Sequence, residues 1–132
     1  IVLQARGEVC MSSTILVVDD EQATREILQI ILEMEGFTVF TAEDGLDALV
    51  KIAAQPPDLI ILDVMMPNMD GLTLCQRLRA QPETAGIAVV MLSGNFQDKA
   101  IAAGLNAGAN AFLSKPVEMK TLLAQMRHFL VG

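Results

Sequence analysis

Apolar residues run along this chain in two rhythms that take turns. Three short segments, Ile15-Leu16-Val17-Val18, Leu59-Ile60-Ile61-Leu62 and Val89-Val90-Met91-Leu92, are apolar at every position. That is the pattern of strands covered on both faces. Between them, apolar residues recur at helical spacing. The pattern predicts strands over 14–18, 37–41, 58–62, 87–92 and 109–113. It predicts helices over 21–35, from Asp44 to Pro56-Pro57, from Asp70-Gly71 to just before Pro82, from about Gln97 to Asn106, and from about 117 to 130. In the first helix Ala23, Ile27, Ile30, Ile31 and Met34 are expected to face the core, with Gly36 as the stop. In the second, Leu49, Ile52 and Ala53 face inward behind an Asp44 cap. Leu72, Cys75 and Leu78 form the inner stripe of the third helix, and Met119, Leu122, Leu123, Met126 and Leu130 that of the last.

Five strand–helix units in strict alternation predict an α/β fold with a parallel sheet between two helix layers. Right-handed crossovers leave few arrangements. The economical one is a flavodoxin-like, doubly wound (βα)5 sandwich with strand order 2-1-3-4-5. No internal repeat and no linker divides the chain.

Four of the five strands then deliver a polar group to one rim of the sheet. The first ends in Asp19-Asp20, the third in Asp63, the fourth in Ser93 and the fifth in Ser114-Lys115-Pro116. Open parallel sheets carry their sites at the carboxyl ends of their strands, at the point where strand order reverses. In the expected order strands 1 and 3 are neighbours there, so Asp19, Asp20 and Asp63 meet. An acidic pair at one tip is as readily a solvated feature as a site. A third acid at the neighbouring tip points to a hard divalent cation, because crowded like charges disfavour ionisation. Mg²⁺ suits a few carboxylates completed by waters and a phosphate.

Composition narrows the function classes. The chain has 132 residues, is 52% hydrophobic and carries a formal charge of −7, with no Lys/Arg run. It is large enough for one domain with a core. The acidic balance argues against direct nucleic-acid binding. No segment approaches the roughly 20 apolar residues of a membrane span. Two distant thiols, Cys10 and Cys75, form no disulfide framework, which suggests a reducing, cytoplasmic compartment. With the single His128 they make no plausible zinc set. His128 is expected to sit solvated in the last helical turn. Residues 1–12 are expected to be a leader or N-terminal extension, and 13–132 the domain.

Four segments together resemble the receiver domain of bacterial two-component response regulators. They are Ile15-Leu16-Val17-Val18-Asp19-Asp20-Glu21, Asp58 through Asp63 to Asp70-Gly71, Leu92-Ser93-Gly94, and Gly108-Ala109 through Lys115-Pro116. The resemblance covers residues 13–131 and implies a phosphorylation switch. Asp63 would accept a phosphoryl group from a histidine kinase or histidine phosphotransfer protein. Mg²⁺, with Mn²⁺ as a substitute, would be held by Asp20, Asp63 and the backbone carbonyl of Met65, with Asp19 acting through water. Lys115 and Ser93 would each take a phosphoryl oxygen. Gly94 would leave room for Ser93 to shift, and Phe112 would then turn inward. The Lys115–Pro116 bond is expected to be cis, while Asn95 and Met65 would flank the water that removes the phosphate. The face made by helix 4, strand 5 and helix 5 would relay the change to an output partner or domain, or to a second copy as a homodimer.

By that resemblance such a chain would be a self-phosphorylating signalling domain, with autodephosphorylation open to it, rather than a metabolic enzyme. Two other classes remain open. An aspartyl-phosphate hydrolase would carry a second acid two residues after its nucleophile, where this chain has Met65. A pseudo-receiver that binds partners without phosphorylation would be expected to lack Asp63, Lys115 or the acidic pair. A flavin-binding relative is weaker still, since the chain has no Trp, no Tyr and no phosphate loop.

Overall fold

The computed structural model describes residues 13–66, 68–94 and 98–130. Five strands alternate with five helices: β1 (Thr14–Val18), α1 (Gln22–Met34), β2 (Thr38–Ala42), α2 (Gly45–Ala54), β3 (Leu59–Asp63), α3 (Gly71–Ala80), β4 (Ala88–Ser93), α4 (Asp98–Asn106), β5 (Ala111–Ser114) and α5 (Met119–Leu130). The strands form one parallel sheet in the order β2-β1-β3-β4-β5. This is the flavodoxin-like arrangement that the alternation predicts. Several strands begin and end one or two residues later than expected, so Asp63 and Ser93 are the last residues of β3 and β4 rather than the first beyond them.

The two faces of the sheet hold separate cores. Leu16, Val18, Ile60, Leu62, Val89 and Met91 point to the side covered by α2, α3 and α4. Ile15, Val17, Leu59, Ile61, Val90 and Leu92 point to the side covered by α1 and α5. Successive strand side chains alternate faces, so a strand apolar throughout supplies both layers.

Helix α1 differs from the expectation. It buries Leu28 and Leu32, leaves Ile31 half-buried, and exposes Ala23, Ile27, Ile30 and Met34, the last at 79%. Its apolar stripe is wider than the surface it covers. Leu28 and Leu32 lie about 100° around the helix from Ile27 and Ile31, and packing against β1 and β2 selects them. In α2, likewise, Ala48 and Ile52 are buried and Leu49 half-buried, while Ala53 is exposed. The Asp44 and Asp70 side chains cap α2 and α3 by accepting from the N–H groups of Asp47 and Thr73 at 2.8 Å each.

One arginine closes the edge opposite the strand tips. Arg79 donates to the carbonyls of Gly108 (3.0 Å), Ala85 (3.0 Å) and Ile87 (2.6 Å), and to Asn110 Oδ1 (2.9 Å). Asn110 Oδ1 also accepts from the Val89 N–H at 2.8 Å. The side chain thus joins α3, the α3–β4 connection and the turn into β5, where Gly108 adopts φ 109°. Arg79→Ala should cost about 2–3 kcal/mol, because charge-assisted bonds to several carbonyls are lost together. Thermal melts should show a fall of roughly 6–15 °C. Arg79→Lys should recover only part of it, since an ammonium cannot reproduce the planar fork.

Candidate functional site

The register of the sheet assembles the site. Val18 of β1 pairs with Leu62 of β3, so Asp19 and Asp63 follow side by side. Asp63 pairs with Leu92, and Ser93 pairs with Ser114, which places Lys115 next to the β4 tip. The Lys115 N–H donates to the Ser93 carbonyl at 2.9 Å. The Lys115–Pro116 bond is cis.

Lys115 Nζ lies 3.2 Å from Asp63 Oδ1 and 3.2 Å from Asp19 Oδ2. The Asp19 side chain is 3% exposed and that of Asp63 7%, whereas Asp20 is exposed. Asp19 Oδ1 also accepts from the Glu21 N–H at 2.9 Å. One oxygen from each of Asp19, Asp20 and Asp63 lies within 4.8 Å of the others. Ser93 is buried at the neighbouring tip. Beside it Gly94 is exposed, and a Cβ there would meet nothing within 4 Å. Asn95 and Phe96 lie outside the described residues, as do residues 1–12.

Electrostatics at the centre are lopsided. Burial, and then the Asp19 charge, push the Asp63 carboxyl above the ordinary carboxylate value, against the pull of Lys115. Burial draws the Lys115 ammonium down, but Asp19 and Asp63 outweigh it and the net shift is upward. Three carboxylates therefore face one ammonium, and ionisation of the buried Asp63 is penalised. An all-oxygen donor set with excess negative charge fits a hard divalent cation such as Mg²⁺ or Mn²⁺.

A proton and a cation would compete for Asp63. Mg²⁺ affinity should therefore start to weaken, as pH is lowered, at a higher pH than an ordinary carboxylate would give. NMR-monitored Mg²⁺ titrations at a series of pH values check this. A midpoint that stays flat down to the ordinary carboxylate range would contradict it.

Phe112 occupies a different position from the one expected before phosphorylation. Its ring is already inside, 9% exposed, in the core under α4. It lies over Gly104, where a Cβ would come 2.6 Å from Phe112 Cδ2 and 3.1 Å from Met91 Sδ.

Three contributors near the site escaped the sequence reading. Arg25 of α1 donates to the Asp19 carbonyl at 2.7 Å. Gly104 provides the seat for Phe112. Asn68 donates from Nδ2 to Asp44 Oδ2 at 2.9 Å. A glycine inside a helical pattern is a weak signal of close approach, so Gly104 carried a trace in the sequence. The Asn68 bond spans 24 residues and the Arg25 bond six, and neither has a local signature.

The family model for the response regulator receiver domain matches residues 15–127. The chain belongs to this family. The receiver domain is 45% identical over 120 residues to the response regulator MprA of Mycobacterium ulcerans. That match takes in 91% of this chain and 51% of MprA, so the chain spans about half the length of the curated relatives it matches. Among solved structures it resembles a putative response regulator from Chloroflexus aurantiacus, with TM-score 0.87 and 37% identity, covering 92% of this chain and 99% of that one. It also resembles the Vibrio cholerae chemotaxis protein CheY4, with TM-score 0.85 and 32% identity, covering 90% and 99% of the two chains. The receiver domain is thus a signalling domain of two-component systems. Among its described residues no helix is long and apolar enough to cross a membrane.

Proposed function

We propose that residues 13–132 act as a phosphorylation switch, with Asp63 as acceptor of a phosphoryl group from a histidine kinase or histidine phosphotransfer protein. The carrying observation is a buried Asp63 carboxylate set between two further acids and an ammonium 3.2 Å away. In the transfer an Asp63 oxygen bonds to phosphorus as the bond from phosphorus to the donor's histidine nitrogen breaks, giving an acyl phosphate. Catalysis of this kind is mainly positioning and charge neutralisation. Lys115 would exchange its present contact with Asp63 for a phosphoryl oxygen. Ser93 would offer a hydroxyl to another.

Asp20, Asp63 and the Met65 carbonyl would hold Mg²⁺, which when bound supplies positive charge to the phosphoryl oxygens. Asp20 suits direct ligation because it is exposed, whereas both Asp19 oxygens already accept hydrogen bonds. The donor would approach over the apolar stripe of α1. A groove lined by Ile27, Ile31, Lys115 and Pro116 runs from that stripe to the cleft, and Ile27 and Ile30 stand more than half exposed beside it. A cytoplasmic setting, with no nucleic acid bound by this chain, fits the acidic composition. The face of α4, β5 and α5 would carry the signal to an output partner, an output domain or a second copy.

A second reading, partner binding without phosphorylation, draws on Phe112 being buried already. Beryllofluoride with Mg²⁺, read by NMR, separates the two; with no Trp and no Tyr the chain offers little intrinsic fluorescence. Shifts should extend from Asp63 through Ser93 to Phe112 and to the exposed side of α4 near Lys99. Ser93→Ala should keep the shifts at the cleft and blunt the distal ones. Moving a two-state equilibrium from one extreme to the other takes about 5.5 kcal/mol of differential affinity, so losing one phosphate contact should be visible. Shifts confined to the cleft would favour the phosphorylation-independent module.

A further inference from the structure

Between β3 and α3 the loop passes Met65, two residues beyond Asp63, and contacts anchor Val64, Asn68, Met69 and Gly71. At its far end the Gly71 N–H donates to the Val64 carbonyl at 2.9 Å. A Cβ on Gly71 would lie 2.6 Å from the Asp63 carbonyl oxygen, so α3 starts directly against the acceptor's backbone. At its tip the loop rests on α2. Met69 is buried, and a Cβ on Gly45 would come 2.8 Å from Met69 Cβ and 2.9 Å from its carbonyl oxygen. Beside that contact Asn68 adopts φ 69°, a left-handed conformation that Asn and Gly tolerate best.

The Asn68 side chain adds a bond that bridges two loops. Its Nδ2 donates to Asp44 Oδ2 at 2.9 Å, while the other Asp44 oxygen caps α2. The Asp47 N–H, then Asn68, hold the Asp44 carboxyl below its ordinary value, so the bond is charge-assisted. Met65, between Asp63 and this tether, is exposed, and its N–H lies 3.4 Å from Asp63 Oδ1.

We propose that Asn68 is a positioning residue of the acceptor site: by tying the β3–α3 loop to the α2 cap at Asp44, it sets the Met65 backbone before a cation arrives. The inference rests on the metal-site reading above. Its physical basis is preorganisation, since a loop already fixed in its bound form loses less freedom on binding.

The test uses two variants that each remove the tether and little else. Asn68→Gly keeps the left-handed backbone but lacks the amide. Asp44→Ser keeps a capping oxygen for α2 but lacks the second acceptor. Each should raise the Mg²⁺ concentration at half-saturation by about three- to tenfold, a part of the free energy of one charge-assisted hydrogen bond. The double variant should be no worse than either single one, because both remove the same bond. The Met65 and Met66 amide signals should already differ from wild type without metal. The paired swap of Asp44→Asn with Asn68→Asp, which reverses donor and acceptor, should restore the wild-type midpoint. Equal midpoints in wild type and single variants, additive losses in the double variant, or lower thermal stability with an unchanged midpoint would each overturn the proposal. If wild type itself shows no Mg²⁺ shifts around residues 19–20 and 63–66, the metal site falls first and the inference with it.

Discussion

An Asp63→Asn chain should take up no phosphoryl group from acetyl phosphate and Mg²⁺, and should also be more stable than wild type. The first effect is close to all-or-none, since an amide at that position cannot form the acyl phosphate. The second follows from the lopsided charge. Burial and Asp19 hold the folded-state carboxyl above its ordinary value. A folded value above the unfolded one contributes stability that is fully present below the unfolded value and lost as pH rises through the folded one. At neutral pH the ionised Asp63 therefore works against folding. Asparagine removes that charge, while Lys115 keeps Asp19 at 3.2 Å. The expected gain is on the order of 1 kcal/mol, or roughly 3–5 °C for a domain of this size. It should shrink in acid, below the ordinary carboxylate range, where wild-type Asp63 is protonated folded or unfolded. Intact-mass labelling and melts at two pH values check both parts. Equal labelling of the variant, or a loss of stability at neutral pH, would contradict the account.

Gly71→Ala should do the opposite and cost about 2–3 kcal/mol, at the upper end of ordinary overpacking penalties. The added methyl would sit 2.6 Å from the Asp63 carbonyl oxygen and 2.9 Å from Val64 Cα. Both neighbours are backbone, so no side chain can rotate away. Relief requires either α3 or the end of β3 to move, and the second displaces Asp63. Slower phosphorylation should therefore accompany the lower melting temperature. Gly86→Ala makes a useful control, because nothing lies within 4 Å of a Cβ there. It should stay within about 0.5 kcal/mol of wild type. A Gly71→Ala chain as stable as that control would mean that α3 does not press on β3 as described.

Fold and acidic cleft were legible because the same residues specify both. A strand apolar at every position must lie between two helix layers, and the polar residue ending it must then reach the rim. Asp19, Asp63 and Ser93 each end such a run, Lys115 follows the shorter β5, and parallel pairing puts the four together without help from distant side chains. The face of α1 was not legible. Ile27, Ile30, Ile31 and Met34 form as regular a stripe as Leu28 and Leu32, and only the width of the sheet decides which is buried. The Asn68–Asp44 bond spans 24 residues between two loops, and nothing local in either loop announces it. The inward ring of Phe112 depends on Gly104, a residue of another element whose missing side chain is the feature that matters.

The most direct measurement is to label the wild-type chain with acetyl phosphate and Mg²⁺ and to locate the modified residue by peptide mass mapping. The expected result is one phosphoryl group, on the peptide containing Asp63, with labelling suppressed when EDTA removes the metal. Labelling at Asp19, Asp20 or His128 instead, or labelling undiminished by EDTA, would contradict the assignment of Asp63 as a metal-assisted phosphoacceptor.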